Sequence, residues 1–100
     1  MKVKDLFKNK TVYSFEVFPP KKTSSIDTVY KTLEELEGLT PDFISVTYGA
    51  GGGLNGGALT CQLASKLLHE YGVKPVAHLP CISYTKEEIS SVLRDFKEHG

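Results

Sequence analysis

Two periods alternate along this chain. From Thr11 to Phe18 the residues are mostly β-branched or aromatic and read as a strand, with Tyr13, Phe15 and Val17 on one face and Val12, Ser14, Glu16 and Phe18 on the other. Pro19 and Pro20 have no amide hydrogen to give a ladder, and they stop it. Ile26, Val29, Tyr30, Leu33 and Leu36 then recur at helical spacing, entered through Ser24 with Asp27 beyond it and left at Gly38, a residue suited to a left-handed cap. The cycle repeats after Thr40-Pro41-Asp42. Phe43 to Tyr48 is apolar enough along its length to be a strand covered on both faces. Leu59, Leu63, Ala64, Leu67, Leu68 and Tyr71 stripe a second helix that Gly72 closes. Pro75 opens a third strand, and Pro80 ends it early. Thr85-Lys86-Glu87-Glu88 is a capping box for a third helix, whose apolar positions are Ile89, Val92, Leu93 and Phe96 and whose cap position holds Gly100. The pattern thus predicts strands over about 12–18, 43–48 and 75–79, and helices over about 25–37, 58–71 and 86–99.

The strands begin about thirty residues apart, the length of one strand-plus-helix unit, so a right-handed parallel α/β arrangement follows. Three units leave long unpaired edges and helices on one side of little sheet. The expectation is a piece of a larger enzyme; a small complete α/β domain is the alternative.

Composition narrows the partners. Twelve basic and twelve acidic side chains cancel, which leaves no basic face for nucleic acid. Lys2, Lys4, Lys8 and Lys10 are interrupted by Asp5 and interleaved with Val3, Leu6 and Phe7, which reads as a short surface helix instead of a targeting peptide. No apolar run is long enough to span a bilayer, and a cytoplasmic protein is expected. Cys61 and Cys81 lack C-x-x-C spacing and a nearby histidine pair, so both are expected to be buried thiols and no metal is implied.

Ligands of parallel sheets lie at the C-terminal ends of the strands. Those ends carry Glu16 before Phe18-Pro19-Pro20, Thr47-Tyr48 before a glycine run, and His78 before Leu79-Pro80-Cys81. A glutamate in a strand buried on both faces must be paired or protonated, because an isolated buried carboxylate costs several kcal/mol. Lys21 and Lys22 are its simplest partners. Gly49-Ala50-Gly51-Gly52-Gly53 is neither a Walker A loop, for lack of Gly-Lys-Ser/Thr, nor a dinucleotide fingerprint, since Leu54 stands where the third glycine belongs. It reads either as a plain turn or as a stretch that lets a flat or phosphorylated ligand reach backbone amides. His78 is either a satisfied core histidine or a donor to a carbonyl-rich ligand such as an isoalloxazine ring. Thr47 is equally open between an ordinary strand residue and a site residue. No Gly-x-Ser-x-Gly elbow supports a serine hydrolase, and His69 and His99 are expected to be solvated helix residues.

The three stretches Ser14-Phe15-Glu16-Val17-Phe18-Pro19-Pro20-Lys21, Asp42-Phe43-Ile44-Ser45-Val46-Thr47-Tyr48-Gly49-Ala50-Gly51-Gly52 and Ala77-His78-Leu79-Pro80-Cys81-Ile82 with Thr85 and Glu88-Ile89 together resemble the methylenetetrahydrofolate reductase family. The resemblance runs from about Thr11 to Gly100 in the family's order and spacing, over the amino-terminal third or so of its catalytic barrel. It implies a (β/α)8 TIM barrel, a fold that takes roughly 250 residues to close, of which residues 1–100 would supply the first three βα units. It further implies FAD as cofactor, NADH or NADPH as hydride donor and 5,10-methylenetetrahydrofolate as the substrate reduced to 5-methyltetrahydrofolate. A homo-oligomer is possible for the full-length protein. Glu16 matches the family's catalytic glutamate, the general acid as the folate's one-carbon bridge opens to an iminium, a task that a buried carboxyl of raised pKa suits. Thr47 matches a residue near flavin and nicotinamide, Tyr48 and Ala50 match flavin-contacting positions, and His78 matches a flavin-binding histidine.

Two departures stand out. Leu54-Asn55-Gly56-Gly57-Ala58-Leu59 lacks the arginine and following threonine that the family usually carries after its glycine loop, leaving Asn55 as the polar cap. Pro80 stands where threonine is commoner, which removes a hydroxyl and an amide donor beside His78. A relative that binds flavin or folate without turnover, and a folding fragment with no ligand, remain as alternatives to the enzyme.

Overall fold

In the computed structural model, which describes residues 2–20, 26–48, 56–82 and 84–100, the alternation within each strand decides what is buried. A 3₁₀ helix at Val3–Phe7 leads into strand β1 (Ser14–Val17), helix α1 (Ile26–Leu36), a 3₁₀ turn at Glu37–Leu39, strand β2 (Phe43–Val46), helix α2 (Gly56–His69), strand β3 (Pro75–Ala77) and helix α3 (Lys86–Glu98). The three strands form one parallel sheet in the order β1-β2-β3, with Glu16 opposite Ser45 and Ser45 opposite Val76. The chain is therefore of the α/β class.

Val17, Ile44 and Val46 point to the helices and meet Leu33 of α1 and Leu63 and Leu67 of α2 in the core. Each such side chain contributes roughly 1.5–3 kcal/mol by leaving water. The other sheet face is not covered in the same way: Ser14 and Glu16 are exposed and Ser45 is half-buried. This corrects two expectations. β2 is covered on one face only, its burial alternating between Ile44 and Val46 on one side and Phe43 and Ser45 on the other. Glu16 is not a buried carboxylate, its side chain being 52% exposed. The physical reason is the same for both, since the core packs on one side of the sheet.

The strands end sooner than the alternation predicts, yet the next residues stay tied to the sheet. Thr47 N donates to Val17 O at 3.0 Å and His78 N to Val46 O at 2.9 Å. At the opposite end, Asp42 N donates to Tyr13 O at 2.8 Å while the Asp42 carboxylate accepts from Lys10 Nζ and from Tyr13 N. The Lys10 ammonium and the Tyr13 amide hold the Asp42 carboxyl below the usual carboxylate range.

Helix ends follow local chemistry where side chains provide it. Thr85 Oγ1 accepts from Glu88 N at 3.2 Å and Glu88 Oε2 accepts from Thr85 N at 2.7 Å, the reciprocal capping box. Gly72 takes φ 66°, the left-handed turn that closes α2. Gly38 does not cap α1. The chain continues through the 3₁₀ turn, and the left-handed position falls on Thr40, φ 44° and ψ 60°, just ahead of Pro41. Ser24, the expected start of α1, lies outside the described residues, and α2 begins at Gly56, ahead of the expected Ala58. The stripe of α3 is only partly covered: none of its residues is fully buried, and Leu93 is exposed. Cys61 is buried but Cys81 is exposed, because it lies in the turn beyond the edge strand instead of under a helix.

Candidate functional site

The register of the sheet brings Glu16, Ser45 and His78 to one face, near where the strands end. Glu16 Oε2 accepts from Ser45 Oγ at 3.0 Å and stands 3.6 Å from His78 Nε2, an ion pair when the imidazole is protonated. His78 is 43% exposed at its side chain, so solvent screens the pair and both polar heads remain able to meet a ligand. Lys21 and Lys22, the partners expected from the sequence, lie outside the described residues. Ser45 is not distinguished by local pattern. Counting from the predicted strand starts would have set Thr47 beside Glu16; β1 begins at Ser14 opposite Phe43, and that register brings Ser45 there.

Thr47 follows Ser45 by two residues. Its backbone is held from both sides, by the amide bond to Val17 and by Thr60 Oγ1 of α2, which donates to Thr47 O at 2.9 Å. Tyr48 departs from the group. Its ring turns into the helix layer and lines, with Gly57, Cys61, Val92 and Phe96, a cavity of about 270 Å3 between α2 and α3. There it meets Tyr84 edge to face, with ring centroids 6.0 Å apart and planes at 81°, and accepts from the Tyr84 hydroxyl at 3.3 Å. Burial first, then that hydrogen bond, pushes the Tyr48 phenol up to about 12. Ala50, the rest of the glycine run and Asn55 lie outside the described residues. The structure thus joins Glu16 to His78, keeps Thr47 at the same sheet end, and sends the Tyr48 side chain elsewhere.

His69 and His99 are exposed, as solvated helix residues would be, but they are linked: His69 Nε2 lies 3.0 Å from His99 O. No group of three or more His, Cys, Asp or Glu among the described residues is arranged to hold a metal ion. None of the helices searched among them is long and apolar enough to cross a membrane.

A carboxylate and an imidazole gathered with the Ser45 hydroxyl near the C-terminal end of a parallel sheet form the candidate site of an α/β protein. Comparison with known proteins gives the class a family. A profile of methylenetetrahydrofolate reductase matches residues 2–100, and the chain belongs to that family. It is 33% identical over 87 residues to 5,10-methylenetetrahydrofolate reductase of Salmonella typhimurium, covering 87% of this chain and 29% of that protein. The Escherichia coli protein of the same name gives the same figures, 33% over 87 residues with 87% and 29% covered. A probable methylenetetrahydrofolate reductase (NADH) of Oryza sativa subsp. japonica is 32% identical over 91 residues, 91% of this chain and 15% of that protein. The chain spans 15–29% of the length of these relatives.

Proposed function

We propose that this chain contributes the first three βα units of a (β/α)8 barrel that reduces 5,10-methylenetetrahydrofolate to 5-methyltetrahydrofolate, with FAD as cofactor and NADH or NADPH as hydride donor. The observation that carries the reading is the Glu16–Ser45–His78 group on the uncovered sheet face of a chain belonging to this family. The residues present fit a flavin by their chemistry, for an exposed imidazole and carboxyl and a half-buried hydroxyl stand on a sheet face that the core leaves uncovered. When bound, the flavin supplies the hydride transfer.

Glu16 would be the group that passes a proton to the folate as the one-carbon bridge opens, with Ser45 Oγ donating to Oε2 and fixing its orientation. His78, Thr47, Tyr48 and Ala50 would hold the flavin, His78 through its ring N–H. In the full-length protein, Glu16→Gln keeps stoichiometric flavin and loses roughly 10²–10⁴-fold in kcat with NAD(P)H and the folate. Turnover of Glu16→Gln at the unsubstituted rate would remove Glu16 from the role of acid.

A second reading is favoured by the 3.6 Å approach of His78 to Glu16, in which the two satisfy each other and no ligand binds. The colour of the purified full-length protein separates them: yellow protein supports the flavin site, and colourless protein that takes up no added FAD supports the pair.

A further inference from the structure

Pro19 and Pro20 do more than end β1. A residue that precedes proline is pushed out of the helical region into extended backbone, so Phe18 continues the direction of the chain although the strand ends at Val17. Burial follows the same course: Glu16 is exposed, Val17 buried, Phe18 exposed and Pro19 buried. The alternation thus runs two residues past the strand and sets Phe18 on the face that carries Glu16. Val17 and Pro19, buried on either side of it, keep the phenyl from turning over. Side chains two apart on a strand stand about 6.5 Å from each other, so Phe18 is the next side chain outward from Glu16. Phe18 is 67% exposed. Exposure alone does not single it out, since Tyr13 is 70% exposed at the far end of β1, away from Glu16; its position does.

We propose that Phe18 is a substrate-binding residue, the aromatic wall against which the fused ring of the folate stacks while Glu16 serves its one-carbon bridge. The proposal rests on the functional reading above and deepens it by naming a contact for the substrate's ring. A ligand that meets the Glu16 carboxyl from beyond the strand end passes the phenyl on its way. Flat heterocycles gain by stacking on an aromatic face, and small-molecule sites combine such walls with a few polar groups. In the same reading the flavin lies toward His78, just past β3. That is two strands from Phe18, roughly 9–10 Å across the sheet, which leaves the ring beside Phe18 to the folate.

The test compares the unsubstituted full-length protein, loaded with FAD, with Phe18→Tyr, Phe18→Leu and Phe18→Ala. Dissociation constants for 5-methyltetrahydrofolate and for FAD are measured, together with thermal midpoints. Phe18→Ala should weaken the folate about 5- to 150-fold, the range for losing one stacked ring, and FAD by less than about twofold. Phe18→Leu keeps apolar bulk without a ring and should weaken the folate about 2- to 13-fold, whereas Phe18→Tyr keeps the ring and should stay within about twofold. Folate affinity unchanged in the Leu and Ala variants overturns the proposal even if the thermal midpoint falls, because Phe18 is then structural alone. If Phe18→Ala does not fold, the Leu and Tyr variants decide. Leu binding the folate as tightly as Tyr overturns the stacking, and a loss of FAD equal to the loss of folate overturns the assignment to the folate. In each of these cases the unsubstituted protein still binds both ligands, and the functional reading stands. An unsubstituted protein that binds neither FAD nor the folate refutes that reading, and the proposal falls with it.

Discussion

Replacing Gly57 by alanine sets two effects of opposite sign against each other. Within α2 the change is favourable, since glycine costs a helix interior about 0.8–1.0 kcal/mol relative to alanine, and less near an end. Against it, the new Cβ would lie 2.4 Å from the Tyr48 hydroxyl oxygen, 3.0 Å from Cζ and 3.2 Å from Cε2. Ordinary contact begins near 3.5 Å, so the phenol must retreat by about 1 Å. It cannot do so in place, because Tyr84 holds the same hydroxyl at 3.3 Å and packs edge-on against the ring. Leaving costs about 0.5–1.5 kcal/mol for the hydrogen bond and a similar amount, about 0.5–1.5 kcal/mol, for the aromatic pair. Staying costs about 1–3 kcal/mol of overpacking. Either route exceeds the propensity gain or cancels it, and a net loss of about 1–2 kcal/mol is expected. For residues 1–100 unfolding by themselves as one unit that is roughly 4–16 °C in thermal midpoint. Urea or thermal unfolding measures it, and Tyr48→Leu supplies the control. With the phenol gone, Gly57→Ala should become neutral or stabilising by up to about 1 kcal/mol. Stabilisation by Gly57→Ala in the unsubstituted background, or the same loss in both backgrounds, would refute the reasoning.

Alkaline pH should find the same residue. The Tyr48 phenol is raised to about 12 in the folded chain by burial and by Tyr84, above its ordinary value, so its contribution is complete below about pH 10 and is lost as pH rises toward 12. The decline, at most about 1.4 kcal/mol per pH unit, should be absent from Tyr48→Phe in unfolding curves taken between pH 9 and 12. Leu63→Ala or Leu67→Ala, at fully buried positions, should cost about 2–5 kcal/mol, while Leu93→Ala, exposed on α3, should stay within about 0.5 kcal/mol by the same curves. A chromogenic thiol reagent should label exposed Cys81 at once and Cys61 only on unfolding, since burial, with Asp95 nearby, also pushes the Cys61 thiol up. Residues 1–100 alone should bind no stoichiometric flavin, because Glu16 and His78 stand about half exposed on a sheet face that lacks a second wall; equilibrium dialysis with FAD checks this.

Much of the architecture can be read from short-range pattern. The stripe Leu63, Leu67 and the alternation Phe15, Glu16, Val17 are each set by neighbours two to four residues away, and the structure buries the sides they indicate. Thr85 and Glu88 cap a helix with atoms three residues apart. Coverage of the second sheet face is a property of the whole assembly, and the apolar run of β2 could not distinguish one covering layer from two. Gly38 has the right chemistry for a left-handed cap, but the extra 3₁₀ turn moved that conformation to Thr40, where sequence preference is weak. Glu16 and His78 stand out as polar residues at strand ends. Their mutual distance, the Ser45 bond, and the Tyr48–Tyr84 and Thr47–Thr60 contacts depend on register and on residues 13 to 62 positions apart. Those contacts leave no local pattern to find.

The strand order has a consequence for synthesis. Each strand after β1 pairs with the strand made just before it, and β2 is latched to the segment ahead of β1 through Asp42, Lys10 and Tyr13. Only β1 waits for a partner still to be translated; β2 and β3 each find theirs already made. At about 5–20 residues per second the ribosome releases one further unit every 2–6 s or so, far longer than a loop needs to close. A nascent chain can therefore lengthen its sheet by one strand at a time, and the newest strand is always the growing edge. Since an open edge is the template on which chains aggregate, the site needing a chaperone's cover moves along the polypeptide in step with translation.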